Sequence, residues 1–268
     1  MLRYLKETLN LIIAMVYFAY LKVSDKTPHR LVIYYHNLNA ADIESFRRQM
    51  ECLVRNFTVV KPSEIMVTDV VGSKNVVAIT FDDAFASVIE NAVPILRKYE
   101  LPAGIFVPVG NLGQKPRWEM PDNCSDKNEF VMNKDQIVQL DRDGFEIFSH
   151  TVSHLVLTKI DDSRLEAELV ESKQTLEEIV GHEVIGISYP HGAYDDRAYK
   201  AANRAGYKLG FTIEPRMIDS TTDNLMIGRF SVSPRDNMTK FKLKVSGTYQ
   251  AVRFLRVLKT LVVRFVGR

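Results

Sequence analysis

The chain is short of the residues behind several common architectures. It has two cysteines in 268 residues, Cys52 and Cys124, far apart in sequence. Two such thiols make neither a disulfide framework nor a zinc-finger pattern, and they suit a reducing compartment. Glycine (13) and proline (10) are too few for a collagenous or low-complexity chain. No glycine-rich dinucleotide fingerprint follows any predicted strand. The apolar run Leu9 to Leu21 (LNLIIAMVYFAYL) is shorter than the about 20 residues a comfortable membrane span needs. Arg3 and Lys6 precede it as in a signal peptide, yet no small-x-small cleavage site follows. Acidic residues are missing altogether from Lys240 to Arg268, which carries eight basic ones.

What is present is an ordinary globular core, 46% hydrophobic and 25% charged. Short apolar runs read as buried strands at Leu31–His36, Val76–Phe81, Ala103–Val109, Phe145–Ser149, Gly186–Tyr189, Leu209–Ile213 and Ile227–Val232. Helical spacing separates them. Phe46, Met50, Leu53, Val54 and Phe57 share one face over Ile43–Phe57. Ala86–Tyr99, Lys134–Arg142, Asp161–Val180 and Asp195–Ala205 are further helices, the last closed by Gly206. Asn111–Asn133, with Trp118, is an irregular insertion on one face. Strands alternating with helices predict an α/β fold, a distorted (β/α) barrel of about seven parallel strands. In such barrels chemistry sits at the C-terminal strand ends. His36, Asp82, Asp83, His150 and His191 all fall at or just past predicted strand ends.

Four motifs carry chemistry. In Thr80-Phe81-Asp82-Asp83, adjacent carboxylates leaving a strand face different ways, so one can bind a cation while the other takes a proton. Aspartate is also common at helix N-caps. In His150-Thr151-Val152-Ser153-His154, imidazoles at i and i+4 can share a metal. With one carboxylate they form a set that leaves open coordination positions, as catalysis requires. Tyr189-Pro190-His191-Gly192-Ala193-Tyr194 is a fixed turn whose backbone N–H could meet an oxyanion, although Pro-x-Gly is usually only a turn. Tyr35-His36-Asn37 puts a possible general acid at a strand end, where a structural histidine is the ordinary alternative.

Taken in order, TFDDAF, HTVSH and YPHGAY resemble the first three motifs of the polysaccharide deacetylase family, carbohydrate esterase family 4 with the NodB-homology domain. The resemblance covers about 31–232. It implies a distorted barrel and a divalent metal, usually zinc (Zn2+), used to remove N-acetyl or sometimes O-acetyl groups from glycans. It implies Asp82 as base, Asp83, His150 and His154 as metal ligands, and the backbone of His191 as oxyanion donor. Pro190, Gly192, Tyr194 and Trp118 are the expected substrate-binding residues. There are three departures. Many members carry an arginine two residues before the motif-three proline, where this chain has Ser188; the usual aromatic after that proline is His191; and no histidine follows His191 to act as the late general acid. YYHNL followed by SFRRQM resembles the poly-N-acetylglucosamine deacetylase branch, in which an early histidine takes the acid role, implying His36 here with His191 as competitor.

The expected organisation is an apolar N-terminal helix over 1–30, lying on a membrane or tucked against the body, a catalytic domain over 31–235 and a basic amphipathic tail over 236–268. On a helix, Phe254, Leu255, Leu258, Leu261, Val262 and Phe265 oppose Arg253, Arg256, Arg264 and Arg268, as in a helix lying in an anionic membrane surface. No nucleic-acid module accompanies the charge. The expected partners are therefore a glycan substrate and an anionic membrane surface. The expected location is membrane-associated on the cytoplasmic face, with an uncleaved signal anchor as the alternative. Besides a glycan deacetylase, the residues allow a non-catalytic glycan-binding relative or a metal-dependent amidase of a small cyclic amide or formyl group.

Overall fold

The computed structural model describes residues 2–24, 29–67, 75–121 and 124–252. Its strands are β1 (Arg30–Tyr35), β2 (Phe57–Val60), β3 (Asn75–Phe81), β4 (Gly104–Val107), β5 (Glu146–Ser149), β6 (Gly186–Ser188), β7 (Leu209–Phe211) and β8 (Arg229–Ser231). Its helices are α1 (Leu2–Ser24), α2 (Ile43–Asn56), α3 (Val93–Lys98), α4 (Lys134–Arg142), α5 (Asp162–Val180), α6 (Asp196–Arg204) and α7 (Met238–Val245).

Seven strands run in the order β7-β6-β5-β4-β3-β1-β8, all in parallel pairs. The ring nearly closes where Phe211 bridges Ile227, with Ile227 N–H donating to Gly210 and Thr212 N–H donating to Ile227, both at 2.8 Å. This is the expected (β/α) barrel of seven parallel strands. The eighth strand, β2, was not anticipated. It pairs the first half of β3, while β4 takes the second half.

Side-chain alternation explains how the barrel makes a site. Val32, Val76, Ala78, Phe106, Phe148, Leu209 and Phe211 pack into one cluster. Their strand neighbours Leu31, Ile33, Val77, Ile79, Ile105, Val107 and Ile147 pack into another with α2, α3 and α4. Strands buried on both faces read as continuous apolar runs, which is why the sequence located them. Asp82, His150 and Arg229 continue the parity of Ala78, Phe148 and Ile227, so they project into the barrel. Space there is tight: a Cβ on Gly104 or Gly186 would lie 2.8 or 2.7 Å from the Phe148 ring.

The helices follow their signals. α4 has a full capping box between Asn133 and Gln136. α5 is capped by Asp161 and ends on left-handed Gly181. Two expectations are corrected. Phe57 does not lie on the α2 face but opens β2, and Val54 is exposed; the helix stops at Asn56 because the backbone turns extended at Phe57. The segment read as one helix over Ala86–Tyr99 contains a π turn at Val88–Ala92 before α3, which has Pro94 in its first turn. Proline lacks the N–H that would continue regular α bonding, and the wider turn absorbs the break.

Cys52 and Cys124 are free thiols, as expected. Among the described residues no helix is long and apolar enough to cross a membrane. α7 packs Phe241 and Val245 into the core, and α1 lies against α7. The amphipathic pattern read from Arg253 to Arg268 lies outside the described residues.

Candidate active site

The C-terminal rim gathers the motifs. His36 follows β1, Asp82 and Asp83 follow β3, His150 follows β5, and the Pro190–Gly192 turn follows β6. Asp83, His150 and His154 are buried, and their donor atoms all lie within 4.8 Å of one another. The Nε2 atoms of His150 and His154 stand 3.5 and 3.2 Å from Asp83 Oδ1. That oxygen is buried without a hydrogen-bond partner. An unsatisfied buried anionic oxygen is costly, and a cation between it and two imidazoles removes the cost.

The imidazoles are set for that task. The Nδ1 of His150 lies 2.8 Å from the Ser188 carbonyl, and a donated N–H there leaves the Nε2 lone pair facing Asp83. Burial, with His154 beside it, pushes the His150 pKa down to about 4, so the ring stays neutral. For Asp83, burial raises the pKa, but His154, by hydrogen bond and charge, and then His36 outweigh it and hold the carboxyl well below the usual range.

Backbone geometry is concentrated here. Of the six non-glycine residues with positive φ among those described, five belong to the motifs: Asp83, Ala84, Thr151, His154 and His191. Such conformations cost free energy and persist only where surroundings enforce them. Glu168, buried on α5, supplies one enforcer. Its Oε2 accepts the N–H groups of Val152 and Ser153 at 2.9 and 2.7 Å, while Arg164 pairs its other oxygen at 2.6 Å. The loop after β4 adds bonds from Val109 and Gly110 to the carbonyls of Thr151 and Val152.

Asp82 has a partner that the motifs did not reveal. Arg229, wholly buried on β8, donates to Oδ1 at 2.6 Å and Oδ2 at 2.8 Å. The same guanidinium reaches Ser188 Oγ at 2.7 Å and Thr80 Oγ1 at 3.2 Å. It sits 4.5 Å from the Tyr34 ring centre and 5.0 Å from that of Phe106. Burial raises the Asp82 pKa, yet Arg229, by charge and hydrogen bond, brings it below the ordinary value. The sequence signal was a lone charge inside the apolar strand IGRFSV, paired with the missing arginine at Ser188.

The remaining expected residues divide. Trp118 comes to the site, its ring 4.6 Å from that of His154 and 6.4 Å from Phe85. The His191 ring lies edge-on to His154 at 4.6 Å, and burial followed by His154 lowers its pKa. Pro190 is buried, and the Tyr194 ring lies tilted against that of Tyr189 at 5.5 Å, so both brace the turn. Gly192 is left-handed, and a Cβ there would lie 2.1 Å from the Ile213 side chain. His36 is exposed beside Tyr34, with the rings 5.6 Å apart.

Residues 69–210, more than half of the chain, match the polysaccharide deacetylase family. The chain belongs to the polysaccharide deacetylase family. The Bacillus subtilis protein YxkH is 28% identical over 222 residues, 79% of this chain and 75% of that one. The poly-beta-1,6-N-acetyl-D-glucosamine N-deacetylase of Staphylococcus aureus is 27% identical over 169 residues, 60% of this chain but only 55% of that enzyme. Among solved structures, the Streptococcus pyogenes deacetylase PplD, in complex with acetate, superposes with TM-score 0.68 at 22% identity, covering 83% of this chain and 99% of that one. IcaB from Ammonifex degensii gives 0.68 at 21%, covering 83% and 97%. These structures share the barrel of this polysaccharide deacetylase.

Proposed function

We propose that the protein is a metal-dependent hydrolase that removes N-acetyl groups from an amino-sugar glycan, polymeric or lipid-linked. The observation that carries the reading is the convergence of two imidazole Nε2 atoms on the unsatisfied Oδ1 of Asp83, with the ionised Asp82 next in sequence. This donor set suits a divalent cation, with zinc the metal that two imidazoles and a carboxylate favour. When bound there, the cation supplies Lewis acidity toward an acetamide carbonyl and acidifies water.

The chain's own groups do the rest. Asp82 takes a proton from the attacking water. Both of its oxygens are held by Arg229, which fixes the carboxylate's direction and keeps it ionised. That hold also weakens it as a base, which places much of the water's activation on the metal site. The His191 N–H, fixed in the turn by a φ of 57°, is assigned to the developing oxyanion. His36, exposed at the end of β1, donates a proton to the leaving amine as the carbon–nitrogen bond breaks, giving acetate and a free amino sugar. Trp118 and the Pro190–Gly192 turn flank the space the sugar would occupy.

The test is acetate release from chitooligosaccharides and β-1,6-linked N-acetylglucosamine oligomers, run beside small cyclic and formyl amides, with metal content measured on the same sample. Release from the oligomers alone supports the reading. Turnover of the small amides alone would reassign the protein as an amidase, and metal binding without any turnover would make it a glycan-binding relative.

A further inference from the structure

Five of the nine large hydrophobic side chains that are exposed among the described residues lie on α1. Leu9, Ile12, Met15 and Val16 are 57, 53, 52 and 67% exposed, and Tyr20 continues the row at 61%. On a 3.6-residue repeat these positions form one stripe. The opposite side packs inward: Ala14 is fully buried, and α1 lies against α7. The stripe is therefore an apolar face on a helix already anchored to the body. A contiguous exposed apolar face of this kind marks an interaction surface.

Charge decides the occupant. From Thr8 to Leu21 the sequence has no charged residue; Arg3, Lys6 and Glu7 precede the stripe and Lys22 follows it, so the flanks are positive on balance. Lys240 and Lys244 of α7 are paired with Asp236 and face Glu7, so they are spoken for. The chain beyond α7 is basic without an acidic residue. A second copy would bring the same positive flanks together and repel them. An anionic bilayer satisfies both the apolar stripe and its flanks.

The inward side of α1 bears on the rim. A cavity of about 270 Å³ is lined by Glu7 and Asn10 of α1, Ser231 at the end of β8, and Ile213. Ile213 is the side chain that crowds Gly192 in the motif-three turn. The first half of α1 is thus beside the catalytic mouth.

The geometry points to α1 as a surface-lying anchor that docks this chain on an anionic lipid bilayer and holds the barrel mouth next to it. The docking stands on α1 alone. Its use for a membrane-proximal glycan rests on the deacetylase reading above.

The test uses the full chain and vesicles of phosphatidylcholine with or without phosphatidylglycerol, read by co-sedimentation, with the oligomeric state measured by light scattering. The wild type binds the anionic vesicles, and binding falls as salt is raised. The double variant Ile12→Glu, Val16→Glu loses binding by about a hundredfold or more, stays folded, and keeps its turnover of a soluble acetylated oligomer. The milder pair Ile12→Ser, Val16→Ser loses less. A monomer that ignores both vesicle types overturns the inference, as does equal binding to neutral vesicles. So does a dimer, with no vesicle binding, that the Glu pair splits. If vesicle docking holds while no oligomer is deacetylated, the anchor stands and the deacetylase reading fails.

Discussion

The two halves of the rim are built to different standards. On the β3 and β5 side, Asp83, His150 and His154 are buried, with Asp83 and His154 in left-handed backbone and the segment braced by Glu168 and the Ser188 carbonyl. On the β1 side, His36 stands exposed at the end of its strand. A ligand set must present atoms at fixed points, because small errors in direction weaken coordination. A proton donor must meet an outgoing amine and exchange protons with water, so access serves it better than rigidity. The contrast teaches that burial and backbone strain locate the proposed cation half of this site, while they say little about the proposed acid half.

Mutations can break that comparison. The largest effect is expected for His150→Ala, which loses bound metal and brings acetate release to background, measured by elemental analysis and by an acetate assay on one sample. A variant that keeps stoichiometric metal would remove His150 from the ligand set. Next, Asp82→Asn keeps the metal but slows turnover by about 10²- to 10⁴-fold; wild-type rates in this variant would end the base assignment. Arg229→Met leaves the buried Asp82 carboxylate without its partner and costs about 3–5 kcal/mol of stability. Urea denaturation would show it, and an unchanged midpoint would mean that the pair is not formed in solution.

Smaller effects sharpen the contrast. His36→Ala lowers turnover by about 10²-fold without changing metal content. If His191→Ala does so instead, the acid belongs to the β6 turn and both functional halves share one side of the barrel. Glu168→Gln, which removes the charge under the Val152 and Ser153 amides, weakens metal affinity by about tenfold. Competition with a chelator reads this, and unaltered affinity would make the α5 brace dispensable.

The sequence made most of the barrel legible, for reasons that also explain its gaps. Strands buried on both faces leave apolar runs, so Leu31–Tyr35, Val76–Phe81 and Phe145–Ser149 stood out. β2, FTVV, begins directly where α2 ends and has Thr58 exposed, so neither a turn nor a full apolar run marked it. At the site, Asp82-Asp83 and His150-His154 were legible as two pairs of metal-ligating residue types at short spacing, and the barrel brings Asp83 to the histidines. Glu168 and Arg229 were not. They act on partners 15 to 16 and 147 residues away, and a distance of that kind has no local pattern. Glu168 lies on the inward face of α5, buried beside Leu165 and Leu169, where a helical apolar pattern does not single it out.

Arg229 and Ser188 also form one electrostatic unit. The carboxylate of Asp82 needs a cation beside it, and here that cation comes from β8, while Ser188 on β6 only receives a hydrogen bond from it. An arginine at 188 added to the one at 229 would crowd two guanidinium groups around a single buried carboxylate. The two wall positions are therefore coupled across the barrel, and a charge is tolerated at one of them only while the other stays neutral.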